Sequence, residues 1–390
     1  MNHFNDELEL GKLIRESLQA NLDGEFSSHR EFPYFFTRES FPALSETADL
    51  PLFPSQIPEV FLNWAGLDQA FDAQELLVLD LETTGLGRSQ TLAFLIGLGY
   101  FEQGKYVVEQ IFLPEPEAEA SSFDRLRQLL EEKSLLITFN GKSFDIPILE
   151  SRLLYHHLWL DLRSKDHIDI LHLARRLWKN KTPSCALETL EYYILGQIRN
   201  LGEDIPGGLI PQTWFQFLMT GDTRMMRRVF QHNRLDILHT AALMALICNS
   251  IGYPPAKGFD HRIDYHALAK LYLSQGNQHT AKHILQDLLD TELLTADAAC
   301  ELGMILKKEG ELNAAQARFT QAANLDSPTA RLELAKLLEK RKAFAPALEQ
   351  TEKLLYWHLS RPLVNEAQIE KLEHRKQRLL KKLQALKTPE

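Results

Sequence analysis

Two carboxylates interrupt an apolar run near residue 80, and their spacing suggests chemistry. The run LLVLDLETTGL, residues 76–86, carries Asp80 and Glu82. Alternate side chains of a strand point to the same face, so the two acids would lie together. Like charges beside an apolar core are costly unless a cation neutralises them. Because oxygen-only ligands suit Mg²⁺ or Mn²⁺, the pair predicts a divalent-metal site.

Two later segments carry acids that could complete such a site. NGKSFD, residues 140–145, follows the predicted strand SLLITF, so Asp145 falls in the first turn of a helix at the end of the sheet. HNRLD, residues 232–236, lies in a long predicted helix, where His232 and Asp236 share one face. Two divalent ions about 4 Å apart can hold the attacking and leaving oxygens of a phosphodiester. The four acids therefore predict metal-dependent phosphodiester hydrolysis.

Alternating strand and helix patterns between residues 73 and 255 must position these side chains. ELLVLDLE reads as a strand, and TLAFLIGLGYF and KYVVEQIFL read as a hairpin joined through Glu102-Gln103-Gly104. Later strands alternate with helical patterns, of which the last is the long helix that carries His232 and Asp236. The pattern predicts an α/β domain with a mixed sheet flanked by helices. Residues 1–72 are expected to form an extension, a short helix and then irregular chain, packed on this domain.

Residues 262–390 show only helical patterns, and these repeat. LSQGNQHTAKHIL and LKKEGELNAAQARF align at a shift of 34 residues, which places Gly276 on Gly310 and Ala281 on Ala315. LEKRKAFAPALEQT aligns at a shift of 32 and has Lys342 at the glycine position. Helix-turn-helix units of this period resemble tetratricopeptide repeats, so we expect a small all-α solenoid capped by a basic terminal helix. We expect this domain to bind a protein partner.

Composition excludes several classes of protein. The chain has 390 residues, 44% hydrophobic and 25% charged residues, which is ordinary for a globular protein. Its three cysteines are widely spaced, which argues against a disulfide framework or a cysteine zinc site. The acidic start lacks a signal-peptide layout, and no apolar run approaches the roughly 18 residues of a membrane helix. We expect a cytoplasmic protein without membrane contact. The net charge of −10 does not by itself favour nucleic acid as a partner.

The motifs together resemble a known superfamily. DLE at 80–82, Asn140 followed by Phe144-Asp145, and Asp236 on a late helix are similar to the three exonuclease motifs of the DEDD superfamily. Within that superfamily, HIDILHLARRLW, IPGGLIPQTW and the added repeats are most similar to the bacterial YprB-type RNase H-like proteins. The resemblance implies an RNase H-like fold and removal of nucleotides from single-stranded 3′ ends with two divalent ions. DNA and RNA remain open as substrates.

The resemblance also implies roles for individual residues. Asp80, Glu82, Asp145 and Asp236 would bind Mg²⁺ or Mn²⁺, and His232 would orient or deprotonate the attacking water. The residues after the acidic pair would line the pocket of the 3′ nucleotide, with Gly85 allowing close approach and Leu86 wedging against the base; these are Thr83, Thr84, Gly85 and Leu86. Asn140 and Phe144 would support the site or stack on a base, and Lys142 would meet a phosphate.

The third motif departs from both patterns of the superfamily, which are Tyr-x3-Asp and His-x4-Asp. Here His232 stands at the spacing of the first pattern, and position 237 is Ile. A neutral imidazole could still activate water as a general base. The register leaves the role of His232 open.

Structural explanations remain open for the same residues. Asp80 and Glu82 could form an exposed edge pair, and Asp145 could simply stabilise the first turn of a helix. Asp236 and His232 could be ordinary helix residues. A second cluster of His167, Asp169 and His172 could bind metal or could be a helix cap with neighbouring hydrogen bonds.

Three functions are consistent with the sequence. The main hypothesis is a 3′–5′ exonuclease. The alternative is an adaptor, in which a catalytically weak or inactive RNase H-like domain binds nucleic acid and the repeats bind a protein. The third is an endonuclease or structure-specific nuclease of the same fold.

Overall fold

The contacts within the computed structural model divide the chain into two units. Unit 1 is Met1–Arg262 and unit 2 is Ile263–Glu390. The structure describes residues 2–28, 31–42, 53–85, 87, 91–200, 202–251, 259–362 and 365–387.

Unit 1 is built on a mixed sheet, as the sequence predicts. Within the described residues, its seven strands are β1 (Gly24–Phe26), β2 (Phe35–Phe41), β3 (Leu76–Thr83), β4 (Ala93–Glu102), β5 (Lys105–Phe112), β6 (Leu135–Thr138) and β7 (Asp166–Asp169). They lie in the order β1-β2-β5-β4-β3-β6-β7. β3 has an antiparallel neighbour, β4, and a parallel neighbour, β6, which in turn pairs in parallel with β7. The other neighbours are antiparallel.

The turn between β4 and β5 is the two-residue turn that the sequence predicts. Gln103 and Gly104 both have positive φ, at 49° and 77°. Such a turn matches the right-handed twist of the two strands, and this combination of angles favours glycine. The ladder continues from Glu102↔Lys105 to Leu95↔Phe112.

The N-terminal extension contributes strands where irregular chain was expected. β2 pairs along its whole length with β5, from Phe35↔Phe112 to Phe41↔Tyr106, and β1 pairs with β2. Phe35 and Phe41 are buried, as core residues should be. Residues 24–41 therefore complete the sheet of unit 1 at its β5 side.

Helices cover both faces of this sheet. In the described part of unit 1 they are α1 (Asn2–Asn21), α2 (Glu59–Ala65), α3 (Glu119–Glu132), α4 (Asp145–Tyr155), α5 (Ile170–Trp178), α6 (Leu187–Leu190), α7 (Ile210–Thr220) and α8 (Arg224–Ser250). One buried cluster joins α3 and α4 to the sheet face that carries Leu77, Leu79 and Leu81. A second joins α1, α7 and α8 to side chains that include Phe94 and Phe112.

Two glycines in β4 allow α8 to lie close to the sheet. A Cβ at Gly97 would lie 2.7 Å from Asn233 Nδ2, and a Cβ at Gly99 would lie 2.5 Å from Ile237 Cγ2. Glycine in the middle of a strand weakens the strand and commonly marks such a close approach. The helix that carries His232 and Asp236 is therefore seated directly on the central strands.

Unit 2 is a run of helices, as the sequence predicts. Its described helices are α9 (Tyr265–Ser274), α10 (Gln278–Asp287), α11 (Ala296–Lys308), α12 (Leu312–Asn324), α13 (Pro328–Lys340), α14 (Phe344–Leu359) and α15 (Glu366–Lys387). The aligned turn residues Gly276, Gly310 and Lys342 all have positive φ, at 75°, 85° and 62°. The aligned alanines, which the structure buries completely, are Ala281, Ala315 and Ala347. In neither unit does a described helix have the length and apolar character needed to cross a membrane.

Replacing Lys342 by glycine is expected to stabilise unit 2. A residue with a side chain in the left-handed region is destabilised by about 1–2 kcal/mol, and glycine avoids this cost. Glycine loses more conformational entropy on folding, which offsets about 0.5–1 kcal/mol of the gain. Lys342→Gly should therefore raise the free energy of unfolding by up to about 1 kcal/mol in a urea titration. Lys342→Ala retains the strained φ and is the matched control. Equal stabilities for the two variants would contradict the strain.

Candidate active site

β3 presents the two acids to the helix α8. Leu77, Leu79 and Leu81 face the cluster with α3 and α4, so Asp80 and Glu82 point to the opposite face of the sheet. The register between β3 and β4 shifts directly after Glu82. Such a bulge bends a strand and redirects the residues after it. The apolar half of β3 therefore anchors the strand while its polar end faces α8.

Asp145 reaches the same strand from α4. The pairing of β3 with β6 stops at Val78↔Ile137, so the backbone of β3 beyond it needs another partner. The Leu81 N–H donates to Asp145 Oδ1 at 3.0 Å. Burial raises the pKa of Asp145 to about 7 although this hydrogen bond lowers it, and the charge of Asp236 adds to the rise. The carboxyl group is only 3% exposed and lies beside the acidic pair.

The four acids are electrostatic neighbours. Burial raises the pKa of Asp80 well above its ordinary value, and the charges of Asp236 and Asp145 raise it further. Burial does the same to Glu82, whose pKa the charges of Asp80, Asp236 and Asp145 also raise. Carboxylates that repel one another in a low-dielectric site favour protons or a bound cation. Four acids from three separate segments thus meet at one place.

His232 is held by a residue that the sequence analysis did not select. Its Nδ1 lies 2.9 Å from Asp204 Oδ1 and 3.1 Å from Arg199 Nη1. An ionised carboxylate only accepts hydrogen bonds, so we assign a proton to Nδ1, which donates to Asp204; Nη1 of Arg199 then lies near Nδ1 without a hydrogen bond to it. Burial lowers the pKa of His232, but Asp204 and the charge of Asp236 outweigh burial and raise it. The ring is thereby oriented with Nε2 toward Asp236, at 3.8 Å from Oδ2.

Arg199 supplies a buried positive charge at the site. Its guanidinium donates to Glu191 and to Asp236 Oδ1, and its side chain is 8% exposed. Glu191 is 1% exposed and also lies 2.8 Å from His239 Nδ1. Burial would raise the pKa of Glu191, yet its bonds to Arg199 and His239 lower it. No motif marks Arg199, because its partners are 5 to 37 residues away along the chain.

A row of polar side chains crosses the sheet to Asp80. Asp80, Gly97, Gln110 and Thr37 are register partners on β3, β4, β5 and β2. Asn233 lies over Gly97, donates to Asp80 Oδ2 at 2.8 Å and accepts from Gln110 Nε2 at 2.9 Å. Thr37 Oγ1 donates to Gln110 Oε1 at 3.1 Å. Asn233 belongs to the HNRLD segment, but its residue type alone indicated no role.

The hydroxyl groups after the acidic pair bond the backbone of the chain, and their predicted place in a nucleotide pocket stays a prediction. Thr83 Oγ1 donates to the Gly85 carbonyl at 2.8 Å, and Thr84 Oγ1 accepts from the Leu92 N–H at 3.0 Å. Gly85 is half-buried. Leu86 lies outside the described residues, so its expected contact with a base stays a prediction.

The NGKSFD segment forms a tight turn before α4. Asn140 is exposed and has a positive φ of 67°, and its N–H donates to Asp169 Oδ1 at 2.8 Å. Lys142 is exposed and its N–H donates to Asp169 Oδ2 at 3.1 Å. Phe144 is half-buried and directly precedes α4. The side chain of Lys142 is thus accessible to a ligand, whereas the turn itself serves to place Asp145.

The second histidine cluster of the sequence forms a cap. Asp169 accepts the N–H groups of Asn140, Lys142 and Leu171. His167 Nε2 lies 2.8 Å from Thr138 Oγ1, and burial lowers the pKa of His167 to about 3. The arrangement is a helix cap with neighbouring hydrogen bonds.

The four acids suit a divalent cation in chemistry but are not arranged around one. Their ligand atoms are all oxygens, which hard cations such as Mg²⁺ and Mn²⁺ prefer. Asp80, Asp145 and Asp236 each have one oxygen in a hydrogen bond, to Asn233, to the backbone of Leu81 and to Arg199 in that order. Among the described residues, no three acidic, histidine or cysteine side chains are already placed to share one ion. Side-chain movement would have to accompany metal binding.

Comparison with known proteins assigns this geometry to a family. Residues 77–248 match the family described as RNase_H superfamily. The uncharacterized protein YprB of Bacillus subtilis (strain 168) is 31% identical over 370 residues, which cover 90% of this chain and 87% of YprB. The chain belongs to the YprB family. Its RNase H-superfamily segment contains all four acids, and a domain of this superfamily is a nuclease-type domain that binds nucleic acid.

The close contact between Gly97 and Asn233 gives a test of the polar row in this YprB-family protein. A methyl group at position 97 would overlap Asn233, and overpacking of this kind typically costs about 1–3 kcal/mol. Gly97→Ala should lower the free energy of unfolding by that amount in a urea titration. In the Asn233→Ala background the overlapping atoms are gone, so the same change should cost at least about 1 kcal/mol less. Gly208→Ala is the control, since no atom lies within 4 Å of its Cβ position. Additive effects would contradict the contact.

His167 predicts a specific dependence of stability on pH. Its folded pKa of about 3 lies below the ordinary value of 6.5, so between these values the unfolded chain binds a proton that the folded chain does not. Stability from this group is therefore complete above pH 6.5 and is lost as pH falls toward 3. His167→Gln removes the titration, so the variant should gain stability relative to the wild type as pH falls through this window. Urea titrations of both proteins are compared at the same pH, so the contributions of the other titrating groups to stability cancel in the difference. A constant difference would contradict the assignment.

Proposed function

We propose that this chain is a DEDD-type 3′–5′ exonuclease that hydrolyses single-stranded DNA or RNA with two divalent ions, Mg²⁺ or Mn²⁺. The observation that carries the proposal is the meeting of Asp80, Glu82, Asp145 and Asp236, from three segments, inside an RNase H-superfamily domain. Their mutual repulsion is the electrostatic condition that a bound cation relieves.

The residues of the chain have distinct tasks in this proposal. The four acids would hold the ions, which when bound would activate water and stabilise the leaving oxygen. His232, fixed at Nδ1 by Asp204, presents Nε2 as the atom that orients the attacking water or takes its proton. Asn233 fixes the carboxylate of Asp80 through Oδ2. Lys142 is the cation accessible to a phosphate at the start of α4.

A binding function without cleavage is the second candidate. Arg199 donates to Asp236, so one oxygen of this acid is already engaged by a cation of the chain. If that ion pair persists, the site binds fewer ions than hydrolysis needs, and the domain acts as a nucleic-acid-binding adaptor. The helices of unit 2 would then bring a protein partner to the bound strand. An endonuclease could use the same four acids. It would differ from the exonuclease only in accepting substrates without ends.

Removal of two acids should abolish cleavage. Asp80→Asn combined with Asp236→Asn keeps the side-chain shapes but removes two negative charges from the site. We expect cleavage of a 5′-labelled single strand in Mg²⁺ or Mn²⁺ to fall by at least about 100-fold, the scale of a lost transition-state contact. EDTA should stop the wild-type reaction. The exposed Asp68, replaced by Asn, is the matched control and should leave the rate unchanged.

Substrate form and metal-dependent melting separate the three functions. An exonuclease shortens the 5′-labelled strand stepwise and leaves a circular single strand intact, whereas cutting of the circle would establish an endonuclease instead. For an adaptor, Mn²⁺ raises the melting temperature of the wild type but not of the double variant, and neither protein cleaves any strand. Undiminished cleavage by the double variant would end the proposal for this site.

A further inference from the structure

A cavity opens beside the acid cluster, and the proposed chemistry does not use it. Its volume is about 710 Å³, within the range of small-molecule sites. Its lining includes His232, Asp236, Arg199 and Asp204 as well as Tyr192 and Tyr193. The cavity therefore joins the acid cluster to a pair of aromatic side chains.

The two tyrosines are exposed although the turn that carries them is firmly anchored. Tyr192 is 56% exposed and Tyr193 is 53% exposed, and their rings are 4.9 Å apart at 77°. Their neighbours Ile194 and Leu195 are buried. Burial of aromatic rings normally contributes strongly to stability, so exposure of two adjacent rings needs another explanation. The anchored turn presents them as a preformed surface for a planar ligand.

The backbone of this turn is unusual. Glu191–Leu195 is a π-helical turn and ends at Gly196, which has a positive φ of 68°. Such turns are rare and frequently occur at functional sites. Here the buried Glu191 bonds Arg199, while the next two residues are exposed, and all three line the cavity. One short segment therefore couples the cation of the site to the aromatic pair.

The charged groups of the cavity wall are mostly acidic. One guanidinium, that of Arg199, lies between Glu191 and Asp236, and the carboxyl groups of Glu188 and Asp204 also line the cavity. A phosphate there would meet Arg199 against a surplus of negative charge, so stacking on the exposed rings is the interaction that would hold a ligand, and it favours a flat group over an aliphatic chain. A nucleotide carries a flat base and a phosphate. In the proposed function, the phosphodiester would be hydrolysed at the four acids.

We propose that this cavity is a nucleotide subsite in which a base of a single-stranded nucleic acid stacks on Tyr192 or Tyr193, next to the phosphodiester at the acids. The inference rests on the proposed function for the orientation of the strand. It adds a substrate-binding surface to the one predicted for the residues after Glu82. Because stacking accepts every base, the subsite confers affinity for a single strand with little sequence preference.

Removal of both rings should weaken binding without changing the fold. The probes are a fluorescein-labelled single-stranded DNA and an RNA of the same sequence, bound by the full chain in EDTA to prevent cleavage and followed by anisotropy. Stacking is worth about 1–3 kcal/mol per base, so Tyr192→Ala with Tyr193→Ala should weaken binding by about tenfold or more. Tyr192→Phe with Tyr193→Phe keeps the rings and should bind like the wild type. Tyr356→Ala, at a 74% exposed tyrosine of unit 2, is the matched control.

The outcomes separate this inference from the proposed function. If the double alanine variant folds, with an unchanged melting temperature, and both binds and cleaves like the wild type, the subsite is wrong and the exonuclease stands. If the wild type cleaves no strand in any metal but its binding depends on the two rings, the exonuclease is wrong and the subsite stands. Absence of binding by the wild type to both probes would overturn the subsite. In an active enzyme, the alanine variant should raise KM more than it lowers kcat.

Discussion

The concentration of buried negative charge on one end of β3 is the constraint to which the rest of unit 1 responds. Burial, and after it the charges of neighbouring acids, raises the pKa values of Asp80, Glu82 and Asp145, so the folded chain must bring donors to these groups or leave them protonated. Donors reach three of the four acids: the side chain of Asn233 bonds Asp80, the backbone of Leu81 bonds Asp145, and the guanidinium of Arg199 bonds Asp236. Each of these bonds engages one oxygen of its carboxyl group. In the proposed function, a cation would bind through oxygens that these donors do not engage.

Close packing of α8 makes this compensation possible. Asn233 reaches both Asp80 and Gln110 only because β4 has no side chain at Gly97. Gly99, two residues further along the strand, gives the same clearance to Ile237 of α8. A larger residue in β4 would lift the helix and move His232 and Asp236 with it. Strand β4 thus determines the geometry of a site to which it contributes no charged group. Strand β2 takes part as well, because Thr37 bonds the amide of Gln110 and so fixes the far end of the row.

Local patterns in the sequence predicted the parts of this structure that depend on local physics. The apolar run of β3, the hairpin with its Gln103-Gly104 turn and the long period of α8 follow from side-chain alternation and turn chemistry, and the mixed sheet was predicted from them. β2 was missed because its burial does not alternate, and because its partner β5 lies about 70 residues away in the chain. Arg199 and Asp204 were missed for a related reason. An arginine that neutralises a carboxylate 37 residues away has no periodic signal, and its role becomes visible only when both partners are placed.

Arg199 also explains how the cavity and the acids could act as one surface. Its guanidinium has five N–H donors. They bond Glu191 and Asp236, and one nitrogen lies 3.4 Å from Asp204 Oδ2. Glu191 is more deeply buried than Asp236 and is bonded by His239 as well, so the contact with Glu191 is the structural one. The contact with Asp236 is the one that a divalent ion of the proposed site would have to replace. A guanidinium released from Asp236 but still anchored on Glu191 remains at the cavity wall, where a phosphate is its natural partner. Binding of a cation at the acids and binding of a strand in the cavity would in this way favour each other through one side chain.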